Sequence, residues 1–187
     1  MEDGIVSILG ISGSLRKGSF NAALLKTAAS VAPEGCKLEI DSIKGIPLYD
    51  ADLESDQGIP EVVTQLKEKI AVSDGLLLVT PEYNNSIPGV FKNAIDWLSR
   101  PVQDQPRVFH NRPVGLIGAT PGNFGTAFSQ TAWLPVLRLL KLQIWFGDML
   151  WVSQAMKVFD DQGQMTDDKI RNKITKYMQG FYEFIRS

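Results

Sequence analysis

Residues 10–21 read Gly-Ile-Ser-Gly-Ser-Leu-Arg-Lys-Gly-Ser-Phe-Asn, between an apolar run at 5–9 and a helical run at 22–32. A strand, a polar turn and a helix start commonly hold phosphate. The first amides of a helix have no internal partner and point into the turn. Ser14, Ser19 and Asn21 offer side-chain donors, and Arg16 offers charge-assisted hydrogen bonds to an anion. The chemistry expected is binding of a phosphate-bearing cofactor at the carboxyl end of the first strand. Three better-known patterns are near misses. A nucleoside-triphosphate loop needs Lys where Ser19 stands. A dinucleotide fingerprint needs Gly where Ser12 stands. A hydrolase nucleophile elbow needs Gly where Ser14 stands. What remains is a hydroxyl-rich loop with one Arg, suited to a terminal monophosphate.

Two further stretches have the same polar, turn-rich character. Residues 81–89 read Pro-Glu-Tyr-Asn-Asn-Ser-Ile-Pro-Gly, and residues 120–125 read Thr-Pro-Gly-Asn-Phe-Gly. Each follows an apolar run, 75–80 and 114–119, that reads as a buried strand. Strands are also expected at 5–9, at 37–40 and, at an edge, at 142–146. Helices are expected at 22–32, from Pro60 to about 72, at 90–99, at 127–140 with a kink or split at Pro135, and at 167–185. Residues 41–58 and 101–113 read as long polar connections. Five βα units imply an α/β, flavodoxin-like fold with a five-stranded parallel sheet of order 2-1-3-4-5 and helices on both faces. In that order ligands bind at the switch point outside strands 1 and 3. The loops 10–21, 81–89 and 120–125 should therefore converge.

Composition narrows the function classes. The 187 residues, 44% of them hydrophobic, are most simply one domain spanning 1–187. A net charge of −2 lacks the basic excess expected of a nucleic-acid or membrane-surface binder. Cys36 is the only cysteine and His110 the only histidine, so no disulfide within the chain, Cys-x-x-Cys pair or multi-histidine metal site is expected. The chain starts Met-Glu-Asp, without a basic n-region, and no run reaches the length of a membrane span. Those features lead to an expectation of a cytoplasmic protein. Cys36 reads as a small apolar filler, and His110 as a surface loop residue. Trp133, Trp145 and Trp151 read as core or subunit interface, with Trp97 interfacial too.

Together, residues 13–21, 80–89 (Thr-Pro-Glu-Tyr-Asn-Asn-Ser-Ile-Pro-Gly) and 92–100 (Lys-Asn-Ala-Ile-Asp-Trp-Leu-Ser-Arg) resemble the NADPH-dependent FMN reductase family, in its bacterial quinone and chromate reductase branch. Residues 46–52 resemble that branch as well. The likeness covers about 8–100 well and is weaker beyond. It implies a flavodoxin-like homodimer or homotetramer with non-covalent FMN. The FMN phosphate would lie on the loop from Ser14 through Leu15, Arg16, Lys17, Gly18 and Ser19 to Phe20 and Asn21. The isoalloxazine would lie along Pro81, Glu82, Tyr83, Asn84 and Asn85, with Thr120 and Gly122 closing the other side. Two departures concern the ring and the subunit interface. Asn85 stands where close relatives usually carry Tyr. Phe124 to Phe128, followed by Gln130, replaces a Gly-Gly pair followed by Gln and Tyr.

The function expected is transfer of hydride from NADH or NADPH through FMN to a quinone or a metal oxyanion such as chromate. No side chain accepts two electrons, so the protein's part is to place and tune the ring. Amides of the second loop are the candidate donors to the reduced ring. No catalytic side chain and no metal ligand is named; Arg100 is named as an anion contact for the substrate. The alternative is a flavodoxin-type electron carrier with no substrate of its own. Arg16 and the small net charge speak against it.

Overall fold

A computed structural model of the chain describes residues 4–187. Its sheet begins with β1 (Val6–Ser12), β2 (Cys36–Ser42), β3 (Gly75–Val79) and β4 (Pro113–Ala119). Two short strands complete it, β5 (Gln143–Ile144) and β6 (Leu150–Val152). All pairings are parallel, in the order β2-β1-β3-β4-β5, with β6 also on β4. The order is the one expected, with one correction. The fifth strand is broken, pairing first at Pro113 and Val114 and again at Ile117 to Ala119. Trp145 explains the break. Its ring turns out of the sheet to pack at 4.6 Å from Tyr177 and 5.7 Å from Phe181, and the chain rejoins β4 only at Leu150.

The central strands β1, β3 and β4 are buried on both faces, which is why they read as nearly unbroken apolar runs. Their alternate side chains feed two cores. Leu9, Ile11, Leu76 and Leu78 face α3 (Glu61–Val72), α4 (Gly89–Leu98) and α6 (Ala127–Leu139). Ile8, Leu77, Val79 and Ile117 face α1 (Phe20–Ser30), the single turn α7 (Ala155–Val158) and α8 (Asp168–Arg186). In α8 the buried residues Ile174, Tyr177, Met178 and Phe181 recur at helical spacing. Asp167 caps this helix, its carboxylate accepting the amides of Lys169 and Ile170 at 2.9 and 3.0 Å.

The two expected polar connections contain structure. Asp50 caps α2 (Ala51–Gln57), and residues 101–113 hold a 3₁₀ turn and α5 (Gln105–Val108). Both are too short to show a helical period. Of the kink or split expected at Pro135, the split does not occur, since α6 runs through that residue as one helix. Trp97 belongs to the core rather than an interface. It is fully buried, and its indole N–H donates to the Pro47 carbonyl at 2.9 Å. Trp133 is also buried, whereas Trp151 is half exposed. Among the described residues, no helix is long and apolar enough to cross a membrane.

Candidate functional site

The first loop leaves β1 at Ser12 and enters α1 at Phe20. Gly13 donates to the Val79 carbonyl at 2.9 Å, and a Cβ added there would sit 2.1 Å from the Phe91 ring. Only glycine lets the chain pass under α4 at this point. Ser19 caps α1, its Oγ accepting the Ala22 amide at 3.2 Å. That bond uses the hydroxyl as acceptor and leaves its proton to donate. The Phe20 and Asn21 amides, first in the helix, bond to no protein group among the described residues. Arg16 is exposed and forms no ion pair among them.

Two residues of this loop differ from a simple phosphate cradle. Asn21 is buried, and its amide donates to the Ala119 carbonyl at 2.8 Å and accepts from the Ala119 amide at 2.9 Å. Its side chain therefore bolts the loop to the end of β4 and leaves only its backbone amide for an anion. Ser12 was missed by sequence reasoning. It is 6% exposed, and its Oγ has no hydrogen-bond partner in the protein. A lone hydroxyl closing an apolar strand was the available signal.

The second loop is a tight hairpin. Tyr83 and Ser86 exchange both backbone hydrogen bonds, at 3.1 and 3.0 Å, across Asn84 and Asn85. Both asparagines have positive φ, 50° and 58°. Two consecutive left-handed residues favour Asn, so Asn85 has a backbone reason that a tyrosine would lack. Behind the hairpin, Thr80 is fully buried. Its Oγ1 donates to the Pro81 carbonyl at 2.9 Å and accepts from the Trp133 indole at 3.0 Å. With its proton so used, it accepts from Ser129 Oγ at 2.9 Å. The Glu82 carboxylate accepts the Ser129 amide at 3.0 Å, in the first turn of α6, where a negative charge is favoured. Thr80, Ser129 and Trp133 thus hold the second loop on α6. None was a sequence candidate, because their contact is long-range.

The third loop is tied to the outer edge of the sheet. The Thr120 amide donates to Val152 and its carbonyl accepts from Ala155, both at 3.0 Å. Gly122 accepts from the Gln154 amide at 2.9 Å. Gly118 lets the strand beneath come close, since a Cβ there would meet Thr80 O and Thr126 Oγ1 at 2.2 Å.

The three loops enclose one cleft. Ser14, Arg16, Ser19, Phe20 and Asn21 form one wall; Pro81, Glu82 and Tyr83 form the second, and Thr120 the third. Lys17 and Gly18 line an adjoining cavity instead. Leu15, Asn84, Asn85 and Gly122 are exposed at the loop tips. Arg100 is absent from the cleft wall. Its Nε donates to both oxygens of Glu54 at 3.1 and 2.9 Å, and this bond holds the Glu54 carboxyl below the usual carboxylate range. Among the described residues, no group of three or more His, Cys, Asp or Glu is placed to hold a metal ion.

A family model for NADPH-dependent FMN reductases matches residues 6–157. The chain belongs to that family. Among its curated FMN reductase relatives, an NAD(P)H-dependent FMN reductase of Pseudomonas aeruginosa is 42% identical over 97% of this chain and 96% of the relative. A 2-hydroxy-1,4-benzoquinone reductase from a Burkholderia species is 36% identical over 94% of both chains. Among solved structures, the flavoenzyme NAD(P)H:(acceptor) oxidoreductase FerB from Paracoccus denitrificans superposes with a TM-score of 0.85. It is 31% identical, and the match covers 97% of this chain and 98% of that one. The cofactor is FMN, with NAD(P)H as donor. The residues present fit it. The open amides of Phe20 and Asn21, the free hydroxyl proton of Ser19 and the unpaired Arg16 supply the donors a phosphate dianion needs.

Proposed function

We propose that the protein is an NAD(P)H:quinone oxidoreductase that works through FMN, takes metal oxyanions such as chromate as further acceptors, and assembles as a homodimer or homotetramer. The observation that carries the reading is the convergence of three loops on one cleft, where Arg16, free of any ion pair among the described residues, stands beside Ser14, Ser19 and the start of α1. Quinone as acceptor draws on the quinone reductases among the relatives, including that of Escherichia coli K12 at 37% identity.

When bound, FMN supplies the two-electron chemistry, taking hydride from the nicotinamide and giving it to the acceptor. The chain binds and orients it. Ser14, Ser19, Arg16 and the first amides of α1 hold the phosphate. The Tyr83–Ser86 hairpin and Pro81 present a rigid backbone edge to the ring, fixed from behind by Thr80 and Glu82. Thr120 closes the far side. No side chain is given a proton-transfer role, since an exposed ring edge exchanges protons with water. Arg100 is proposed to steer anionic acceptors from outside the cleft while its Nε stays on Glu54.

The test is spectroscopic and then kinetic. The purified protein is expected to be yellow with flavin absorbance, and anaerobic NAD(P)H is expected to bleach it. Sustained NAD(P)H oxidation with 1,4-benzoquinone, without a partner reductase, is expected to follow. A colourless protein that gains no absorbance with added FMN would sink the reading.

A further inference from the structure

Beyond Arg16, Ser19 and Phe20 lies a second cavity, of about 500 Å³, that the flavin reading does not use. One wall is the first turns of α1, where Ala22, Ala23 and Lys26 fall on one stripe at the margin of the core and Lys17 stands just before the helix. Lys17, Lys26 and Arg16 form no ion pair among the described residues. The opposite wall is the turn at 160–164. There Asp160 Oδ1 accepts the amides of Gln162 and Gln164 at 2.9 and 2.7 Å, and Asp161 is left exposed. Between the walls, Phe20 and Phe159 stack at 5.9 Å with a tilt of 26°.

Each surface selects a different part of a ligand. Two cations that the flavin reading leaves free, Lys17 and Lys26, select an anion, and their charge-assisted hydrogen bonds suit phosphate best. A free carboxylate beside two glutamine side chains selects hydroxyl groups, while the half-buried Phe20 ring, backed by the buried Phe159, offers an apolar surface to a flat ring. A nucleoside phosphate carries all three within one residue's span. A bare anion would leave the apolar surface and the acidic wall unused. The cavity shares Arg16, Ser19 and Phe20 with the flavin cleft, so its occupant would abut the phosphate end of the flavin.

We propose that this cavity receives the adenosine half of the pyridine dinucleotide, with Lys26 and Lys17 on the 2′-phosphate of NADPH and Asp161 on a ribose hydroxyl. This rests on the oxidoreductase reading above and adds to it a preference for NADPH over NADH. No dinucleotide fingerprint is needed, because α1 presents side chains rather than a glycine turn.

Lys26 is exposed, and reversing its charge leaves the core untouched. The experiment compares the FMN-loaded wild type with Lys26→Glu and Asp161→Ala, titrated calorimetrically with 2′,5′-ADP, 3′,5′-ADP and 5′-ADP. The wild type is expected to bind 2′,5′-ADP about tenfold more tightly than either other nucleotide, a selectivity that one well-placed phosphate contact can supply. Lys26→Glu is expected to abolish that selectivity and raise the KM for NADPH about tenfold, with KM for NADH within about twofold and flavin absorbance unchanged. Asp161→Ala is expected to weaken all three nucleotides together. Equal binding of 3′,5′-ADP would overturn the assignment in favour of another phosphorylated adenosine carrier, and an unaltered 2′,5′-ADP affinity in Lys26→Glu would overturn the site itself. If the chain bound no flavin, the oxidoreductase reading would fall, and the same titrations on the flavin-free protein would still decide the cavity.

Discussion

Both ends of the Asn21 amide are held by the Ala119 peptide inside the protein. Replacing Asn21 with Ala leaves that peptide's N–H and C=O buried without partners, which should cost about 2–3 kcal/mol. Urea denaturation measures that loss. FMN titration should show weaker binding as well, because the first loop would lose its anchor to β4. Cys36 makes a second case. Burial raises its thiol pKa to about 11. At pH 8 its alkylation by iodoacetamide should therefore run roughly a hundredfold slower in the native protein than in urea. Equal rates would contradict the burial. At this scale the sequence singled out Arg16, Ser14 and Ser19, which the structure brings to one wall of the cleft. It misassigned the Asn21 side chain, because the partner that claims it lies 98 residues away. Ser12 and Thr80 were hidden for the same reason. A hydroxyl in an apolar strand reads as filler until the strand has neighbours.

Packing between elements is close where β4, β3 and α6 meet. A methyl group at Gly118 would press on both the Thr80 carbonyl and Thr126 Oγ1. Gly118→Ala is expected to destabilise the fold by about 3 kcal/mol through overpacking, seen as a lower urea midpoint. Thr80→Val keeps the shape but removes the acceptor for the Trp133 indole and Ser129. It should cost about 2 kcal/mol and loosen the Tyr83–Ser86 hairpin, which quenching of Trp133 fluorescence by acrylamide would register. The elements that were legible were those with a long period or continuous burial: β1, β3, β4, α3 and α8. The interrupted fifth strand was not. Its break depends on Trp145 finding Tyr177 and Phe181, a choice made between elements. Likewise α2 and α5, of seven and four residues, are stabilised by a cap and by tertiary contact rather than by pattern.

For the whole molecule, ligand and pH should both move stability in predictable directions. FMN at a hundred times its Kd adds about 2.7 kcal/mol by mass action, which for a chain of this size corresponds to a Tm rise of roughly 5–10 °C. A flat Tm across an FMN titration would argue against the cleft. Two carboxylates sit below their usual range, Glu54 through its hydrogen bond from Arg100 and Asp104 through those from Lys67 and Arg107. A folded-state pKa lowered in this way stabilises the protein above the ordinary carboxylate pKa. That stabilisation is lost as pH falls through the depressed values. Stability should therefore hold at neutral pH and decline below about pH 4, and Glu54→Gln should make the decline shallower.

The broken outer strand has a consequence for behaviour in concentrated solution. An exposed sheet margin is a template on which another chain can add itself and begin to aggregate. Here one margin offers only two residues, then an excursion, then three more, so an incoming strand finds no continuous run to zip against. The opposite margin, β2, is seven residues long and undivided. It carries Lys37, Glu39 and Asp41 at alternate positions, and their solvated charges resist stacking against a second copy. Replacing those three with Thr should leave the fold intact while raising light scattering at high protein concentration. The vulnerable side of this molecule is thus the long margin, guarded by charge, while the short margin is guarded by its own discontinuity.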